Sequence, residues 1–462
     1  MKLNKLFLLS AMGLGLFACN NNDLVEGSVT NEAQNEGTTY VGFTLKFNDT
    51  NSRADGTETG TEAEQNIKTA YVIMADASGN VEQIVSTTEN GTGSSYTSTD
   101  YYVFQTTPGV HYFYAVVNQD AIPTKEGGNP TAKTINDYFN TGVALTVANI
   151  TSTTEGGNFM MASEKVLTAN VEDGVTKDEA LKGTKNCFSI DVERVAAKVT
   201  MTCENTTLTN ATNNAGGTIT TPKFTLKGGA TMSYRMAQSA INEIPENAWT
   251  YTSSETDVYV KTGIETDLHK LATPVYCLEN LHNIYYQKNT TYVDIETIFT
   301  PAKVVKCLEQ LDVTPDNNLS DNSTTGSFFV VGSGEHAQNY LMKNDLLAWQ
   351  KTKGYVASES DEISKDPSHF PAGVESISEE YVDGKCFFGP IWIGQETADA
   401  PTAPVTRNTW YNLKITGIKL PGEPKVPEID ETGTTPLVPP TNVAITLTVM
   451  PWNFIDREIT LQ

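Results

Sequence analysis

Residues 441–462 read TNVAITLTVMPWNFIDREITLQ. Val443, Ile445, Leu447 and Val449 alternate with Ala444, Thr446 and Thr448, the period-two pattern of a strand. Beyond Pro451 the phase is kept by Ile455, Ile459 and Leu461 and broken by Arg457. A segment of this kind either closes a sheet of its own subunit or is offered to another. The expectation is a division of labour. Val443 to Val449 completes the subunit's own sheet, with Trp452 at its edge, and Asn453 to Gln462 is the part offered.

The rest of the chain repeats the β pattern. Its 462 residues can bury two or three cores. Gly, Thr, Ser and Asn are abundant and long periodic helices are few, which predicts a mainly β protein rich in turns. The net charge of −25 argues against nucleic acid as a partner, because there is no basic surface to displace counterions.

The amino terminus reads as a targeting segment. Lys2 and Lys5 precede the apolar run Leu6 to Leu16, which is too short to span a bilayer. It ends at Leu16-Phe17-Ala18-Cys19, which resembles a bacterial lipobox with Cys19 as the lipid-bearing residue. Residues 20–38 are polar and read as a tether.

The first strand follows. Val41, Phe43, Leu45 and Phe47 share one face, and Tyr40, Gly42, Thr44 and Lys46 share the other. Next comes DTNSRADGTETGTEAEQ at 49–65, which has no apolar face and reads as an exposed loop. Arg53 within it is the only arginine before Arg194. It is therefore an open target for an Arg-specific protease, and a cut between Arg53 and Ala54 would separate both Cys19 and the first strand from the remainder.

Residues 69–75 and 81–85 read as a hairpin about Ala77-Ser78-Gly79-Asn80. VHYFYAVVN at 110–118 is apolar on both faces, so it is placed centrally, with His111 packed rather than ligating. A short helix is expected over 134–139. Further strands are expected at 195–201, 221–226, 251–260, 272–278, 327–332, 385–392 and 409–418, with a helix over 336–351. The prolines at 421, 424, 427, 436, 439 and 440 predict a semi-rigid, exposed connection before the last strand.

Motifs for catalysis and metal binding are missing from this sequence. There is no GxSxG, HExxH, phosphate-binding glycine loop or EF-hand spacing. The five cysteines after Cys19 are widely spaced and make no CxxC, so free buried thiols are expected and no disulfide pairing is assigned. No enzyme activity, cofactor or metal is expected. Five scattered tryptophans could line a sugar site, which keeps a surface glycan-binding lipoprotein as the alternative.

Five stretches occur in order along the chain: the lipobox-like segment at Cys19, YFYAVVN at 112–118, ERVAAKV at 193–199, NTWYNLKITGIK at 408–419 and VMPW at 449–452. Together they resemble the Bacteroidales fimbrillins, the major fimbrial subunits of type V pili. The resemblance implies two β-sandwich-like (transthyretin-like) domains with a few short helices. It divides the chain into a signal peptide (1–18), a lipidated propeptide with the first strand (19–53), an N-terminal domain (54–190) and a C-terminal domain (191–462) ending in a donor strand. It also implies assembly by strand exchange at the cell surface. An Arg-specific protease cuts at Arg53 and Ala54. The strand bearing Val41, Phe43, Leu45 and Phe47 is then expelled, and a tail such as that bearing Ile455, Ile459 and Leu461 fills the groove. The implied partners are other pilin subunits, the protease and, before processing, the outer membrane through the lipid (palmitate) on Cys19.

Overall fold

A computed structural model describes residues 39–47, 61–65, 68–88, 102–119, 150–151, 159–208, 216–230, 233, 235, 264–265, 269–270, 273–282, 284–312, 319–331, 339–358, 362–372, 374, 376–395, 400–438 and 443–451. The expectations for Cys19, Arg53, Ala54, residues 134–139 and 251–260, Trp249, Trp452, and Ile455, Ile459 and Leu461 lie outside the described residues.

Alternating apolar residues form β1 (Thr39–Phe47), followed by the short helix α1 (Glu62–Gln65). β2 (Thr69–Asp76) and β3 (Val81–Thr88) make the expected hairpin. Its turn is held by the Asp76 carboxylate, which accepts from the backbone N–H groups of Ser78 and Asn80, while Gly79 sits at φ +81°. β4 (Tyr102–Thr106) and β5 (Gly109–Val117) come next. β6 (Met161–Ser163), β7 (Leu167–Val171), the helix α2 (Lys177–Leu181) and β8 (Cys187–Arg194) complete the first unit.

The strand order is β3-β2-β5-β6-β8-β1-β4, with β7 also against β5. β5 is central, as its two apolar faces require: β2 lies along one edge, and β7 and β6 share the other. His111 is packed, with its ring nitrogens on the Thr107 carbonyl and the Glu82 carboxylate. One core gathers side chains from all eight strands, including Val41, Val72, Val85, Phe104, Phe113, Met161, Val171 and Ile190. The sheet therefore wraps across a single core in a sandwich-like arrangement.

The chain changes sheets at Val195. β8 still pairs in the first sheet at Arg194, and β9 (Ala196–Cys203) pairs in the second. The boundary expected at 190/191 thus falls inside β8. Ile190 and Val192 enter the first core, whereas Ala197, Val199 and Met201 enter the second. The inward parity shifts from even to odd between them, and that shift marks the switch.

The second sheet adds β10 (Thr207–Leu208), β11 (Gly217–Gly229), β12 (Ile264–Glu265), β13 (His269–Lys270), β14 (Val275–Leu278) and β15 (Tyr292–Pro301). Between β15 and the next long strand lies an insertion. It contains β16 (Lys303–Val304), β17 (Ser320–Asp321), the hairpin of β18 (Phe328–Val331) and β19 (Asn339–Met342), and the helix α3 (Lys343–Thr352). Leu308, Phe329, Leu341, Leu346, Trp349 and Ile377 give it a small core of its own. The helix expected from residue 336 therefore starts later. Tyr340 and Leu341 are taken by cross-strand pairing with Val330 and Phe329.

β20 (Lys385–Trp392), β21 (Thr409–Ile418) and β22 (Val443–Pro451) end the described fold. The order is β14-β9-β21-β10-β11-β15-β20, with β12 and β13 beside β11 and β22 beside β21. β22 runs antiparallel to β21 along its whole length, from Thr409 opposite Pro451 to Ile418 opposite Val443.

The proline-rich connection is exposed along much of its length, as expected, and is also docked at several points, which was not expected. The Trp392 indole N–H donates to the Val438 carbonyl at 2.9 Å. Ile429 and Leu437 pack on Tyr292, Trp392 and Ala403. Asp430 accepts from the N–H groups of Thr432 and Gly433, and Glu423 bridges to Phe387. Proline removes ladder donors, but an aromatic platform and an Asx turn hold the segment without a ladder.

Candidate functional site

β1 lies in the interior of its sheet, between two strands. It is antiparallel to β4, from Thr39 opposite Thr106 to Phe43 opposite Tyr102. It is parallel to β8, from Gly42 opposite Cys187 to Phe47 opposite Val192. Three of the four expected inward residues have described side chains: Val41 and Phe43 are fully buried and Leu45 nearly so. Phe47 is seen only through its backbone pairing with Val192.

Phe43 is the anchor of the strand. Its ring lies 4.6 Å from that of Phe113, 5.6 Å from Phe104 and 5.9 Å from Phe188, centroid to centroid. Burial of Val41, Phe43 and Leu45 at roughly 1.5–3 kcal/mol each amounts to about 5–9 kcal/mol gross. Without β1, the facing edges of β4 and β8 would lose their partner, and an apolar slot lined by Phe104, Phe113 and Phe188 would open. Such an edge is a template for another strand.

The end of β1 remote from the 48–60 segment is held by polar contacts that the alternation pattern did not point to. The Thr39 hydroxyl, completely buried, donates to the Glu172 carbonyl at 2.6 Å. It accepts from the Val175 N–H at 3.1 Å and from the Asn186 side-chain amide at 3.2 Å. The Asn186 amide also donates to the Tyr40 and Glu172 carbonyls. At Gly42 a side chain would force its surroundings to shift. A Cβ there would sit 2.8 Å from the Ala180 carbonyl oxygen of α2. A glycine in an otherwise bulky strand marks such a close approach, and that was the available signal.

Downstream of the same segment, α1 anchors the chain where the two sheets meet. Glu64 is fully buried and accepts from Lys198 Nζ at 2.9 Å, the Tyr276 hydroxyl at 2.7 Å and the Thr61 N–H at 2.7 Å. Burial works to raise this carboxyl, but the Lys198 charge and the three hydrogen bonds outweigh it and hold the group below its ordinary value. Arg194 donates to the Glu64 carbonyl at 2.6 Å.

A second buried cluster lies across the same junction. Arg407 meets Glu279 at 3.0 Å and Glu193 at 3.9 Å, and donates to the Arg235 carbonyl, which also accepts from the Tyr114 hydroxyl. Burial pushes Glu193 up to about 8 despite Arg407, because Glu279 takes the closer place on the guanidinium.

The described tryptophans are engaged in packing. Trp392 and Trp349 are buried, with their N–H groups on the Val438 carbonyl and Glu309. Trp410 donates to Thr200 beneath the Lys198 ammonium. The three do not form a sugar-binding platform. The five described cysteines are free, and burial raises Cys277 to about 12.

Comparison with known proteins agrees with the resemblance read from the sequence. Residues 379–458 match the family described as "Major fimbrial subunit protein type IV, Fimbrillin, C-terminal". NTWYNLKITGIK and VMPW both lie in that stretch, where the chain is similar to the fimbrillins. Among solved structures, a fimbrilin from Porphyromonas gingivalis W83 is similar at 14% identity and a TM-score of 0.48, covering 91% of this chain and 99% of that one. A putative cell adhesion protein from Parabacteroides distasonis has 11% identity and a TM-score of 0.45, covering 91% and 99%. The tip fimbrial protein Mfa3 from Porphyromonas gingivalis has 14% identity and a TM-score of 0.41, covering 90% and 99%. None of the curated protein sequences matches the chain.

Proposed function

We propose that the chain is a structural subunit of a cell-surface fimbrium that supports adhesion, and that it polymerises with other subunits by strand exchange. The observation that carries this reading is β1: a strand seated between β4 and β8, followed after Phe47 by the segment with Arg53. The fimbrillin C-terminal match supports it independently. In this reading Cys19 carries a lipid that tethers the precursor to the outer membrane, and an Arg-specific protease cuts between Arg53 and Ala54. The fragment with β1 then leaves, and Asn453 to Gln462 of a second copy enters with Ile455, Ile459 and Leu461 towards the core.

Before the cut, β1 competes intramolecularly for the slot, at an effective concentration that a separate tail cannot match. Afterwards it can dissociate. Ordering costs offset much of the gain from a new strand, so removal of the tether decides the outcome.

The test treats the precursor with an Arg-specific endopeptidase and reads the new amino terminus and the particles by electron microscopy. A core beginning at Ala54 and growing into filaments is expected. An uncut Arg53, or a core that stays monomeric after β1 has left, overturns the reading.

A further inference from the structure

We propose that the contacts around Thr39 and Gly42 form a selectivity site: the groove recognises Thr39-x-x-Gly42 of the chain's own first strand and rejects the tail of a second copy at that end. The proposal rests on the strand-exchange reading above.

Every group in the clasp is used. The Thr39 hydroxyl makes one donor and two acceptor bonds, which is its full capacity. The backbone is read beside it: the Tyr40 N–H donates to the Val175 carbonyl at 3.0 Å and the Gly42 N–H to the Asn186 carbonyl at 2.9 Å. Asn186 is set for this by a left-handed backbone, φ +45°, and its side-chain oxygen accepts from the Glu172 N–H at 2.8 Å. A valine at position 39 would leave the Val175 N–H unpaired in a buried place, which costs more than the bond contributed.

The Gly42 contact is steric. The obstacle is the backbone carbonyl of Ala180, fully buried in α2, and not the end of a flexible side chain. α2 is itself fixed by a capping box between Thr176 and Glu179. Any side chain at that register forces the strand and α2 apart.

The tail cannot meet both demands. Residues 434–462 contain no glycine, and the nearest approach to the pattern, Thr441-Asn442-Val443-Ala444, still carries a methyl group where none fits. A tail that replaces β1 therefore pairs along the Phe43–Phe47 half and leaves the clasp unfilled. The clasp thus favours the precursor's own strand over a competing tail.

The test uses protein nicked at Arg53 and freed of its first strand. Fluorescent peptides of residues 38–48 are titrated as the native sequence, Gly42→Val and Thr39→Val, beside a peptide of residues 441–462. The native peptide is expected to bind at least tenfold more tightly than either variant. An Asn186→Ala subunit should weaken the native peptide and leave the tail peptide unchanged. Equal binding of native and Gly42→Val peptides, or equal loss of both ligands in Asn186→Ala, overturns the clasp. Where the freed core aggregates, the dissociation rate of the nicked strand gives the same reading, with Gly42→Ala protein expected to lose it at least tenfold faster. A tail peptide that never binds, with native and variant peptides still discriminated, overturns strand exchange and leaves the clasp standing.

Discussion

Two carboxylates at the junction of the sheets, the fully buried Glu64 and the partly buried Glu193, carry opposite signs of pH dependence. Glu64 is held below its ordinary value near 4.5, so its contribution is present above that value and is lost as the pH falls through the lower folded value. Lys198→Met would strand this carboxylate in a dry site, and a loss of about 3–5 kcal/mol at neutral pH is expected in denaturant unfolding. A loss below about 1 kcal/mol would mean that water or another group replaces Lys198. Glu193 behaves in the other sense. Its folded value of about 8 lies above the ordinary 4.5, so the unfolded chain ionises first as the pH rises. Stability should fall between those two values, by at most about 1.4 kcal/mol per pH unit, and level off above. Glu193→Gln is expected to flatten the unfolding midpoint across that window. An unchanged pH profile in the variant would show that Glu193 is ionised in the fold, paired with Arg407. Neither carboxylate was legible in the sequence, because Glu64 sits in a polar run that reads as loop, and Lys198 and Tyr276 on Glu64 and Arg407 on Glu193 are all distant in the chain.

At the scale of the element, β1 and the proline-rich connection each have an aromatic anchor, Phe43 and Trp392. Phe43→Ala removes the ring that meets Phe104, Phe113 and Phe188, and a cost of about 3–5 kcal/mol is expected for the precursor. The cost should vanish once β1 has been cut away, so unfolding before and after nicking checks the assignment. An equal cost in both forms would place Phe43 outside the exchanged strand. Trp392→Phe deletes the bond to the Val438 carbonyl and should speed amide exchange over 429–437 while β20 stays protected. The alternation that revealed β1, β5, β20 and β21 was legible because one or both faces meet a core. The docking of the 421–438 connection was not, since it depends on where Tyr292 and Trp392 place their rings and on no local periodicity. The same limit hid β19: residues 339–342 are apolar enough for either state, and only pairing with β18 decides between them.

For the whole molecule, the decisive relation is between the two ends of the chain. β22 is fully paired to β21 through Pro451, so a chain ending at residue 452 retains its last sheet strand. A variant lacking residues 453–462 is therefore expected to unfold at the same midpoint as the intact protein, and to form no filaments after nicking. Loss of folding would instead assign the tail to the subunit's own core. The stronger form of the prediction uses mixtures. In the proposed assembly, a subunit that offers a groove to one neighbour and a tail to another makes a head-to-tail contact that propagates without closing. A truncated subunit can still accept a tail but cannot donate one, so each one incorporated ends growth in that direction. Filament length should then fall steeply as the truncated fraction rises, even while intact subunits remain in excess. A subunit that merely fails to assemble would leave length unchanged and reduce only the number of filaments. Length distributions from electron micrographs of mixtures separate the two, and an unchanged length would mean that residues 453–462 are not the donor.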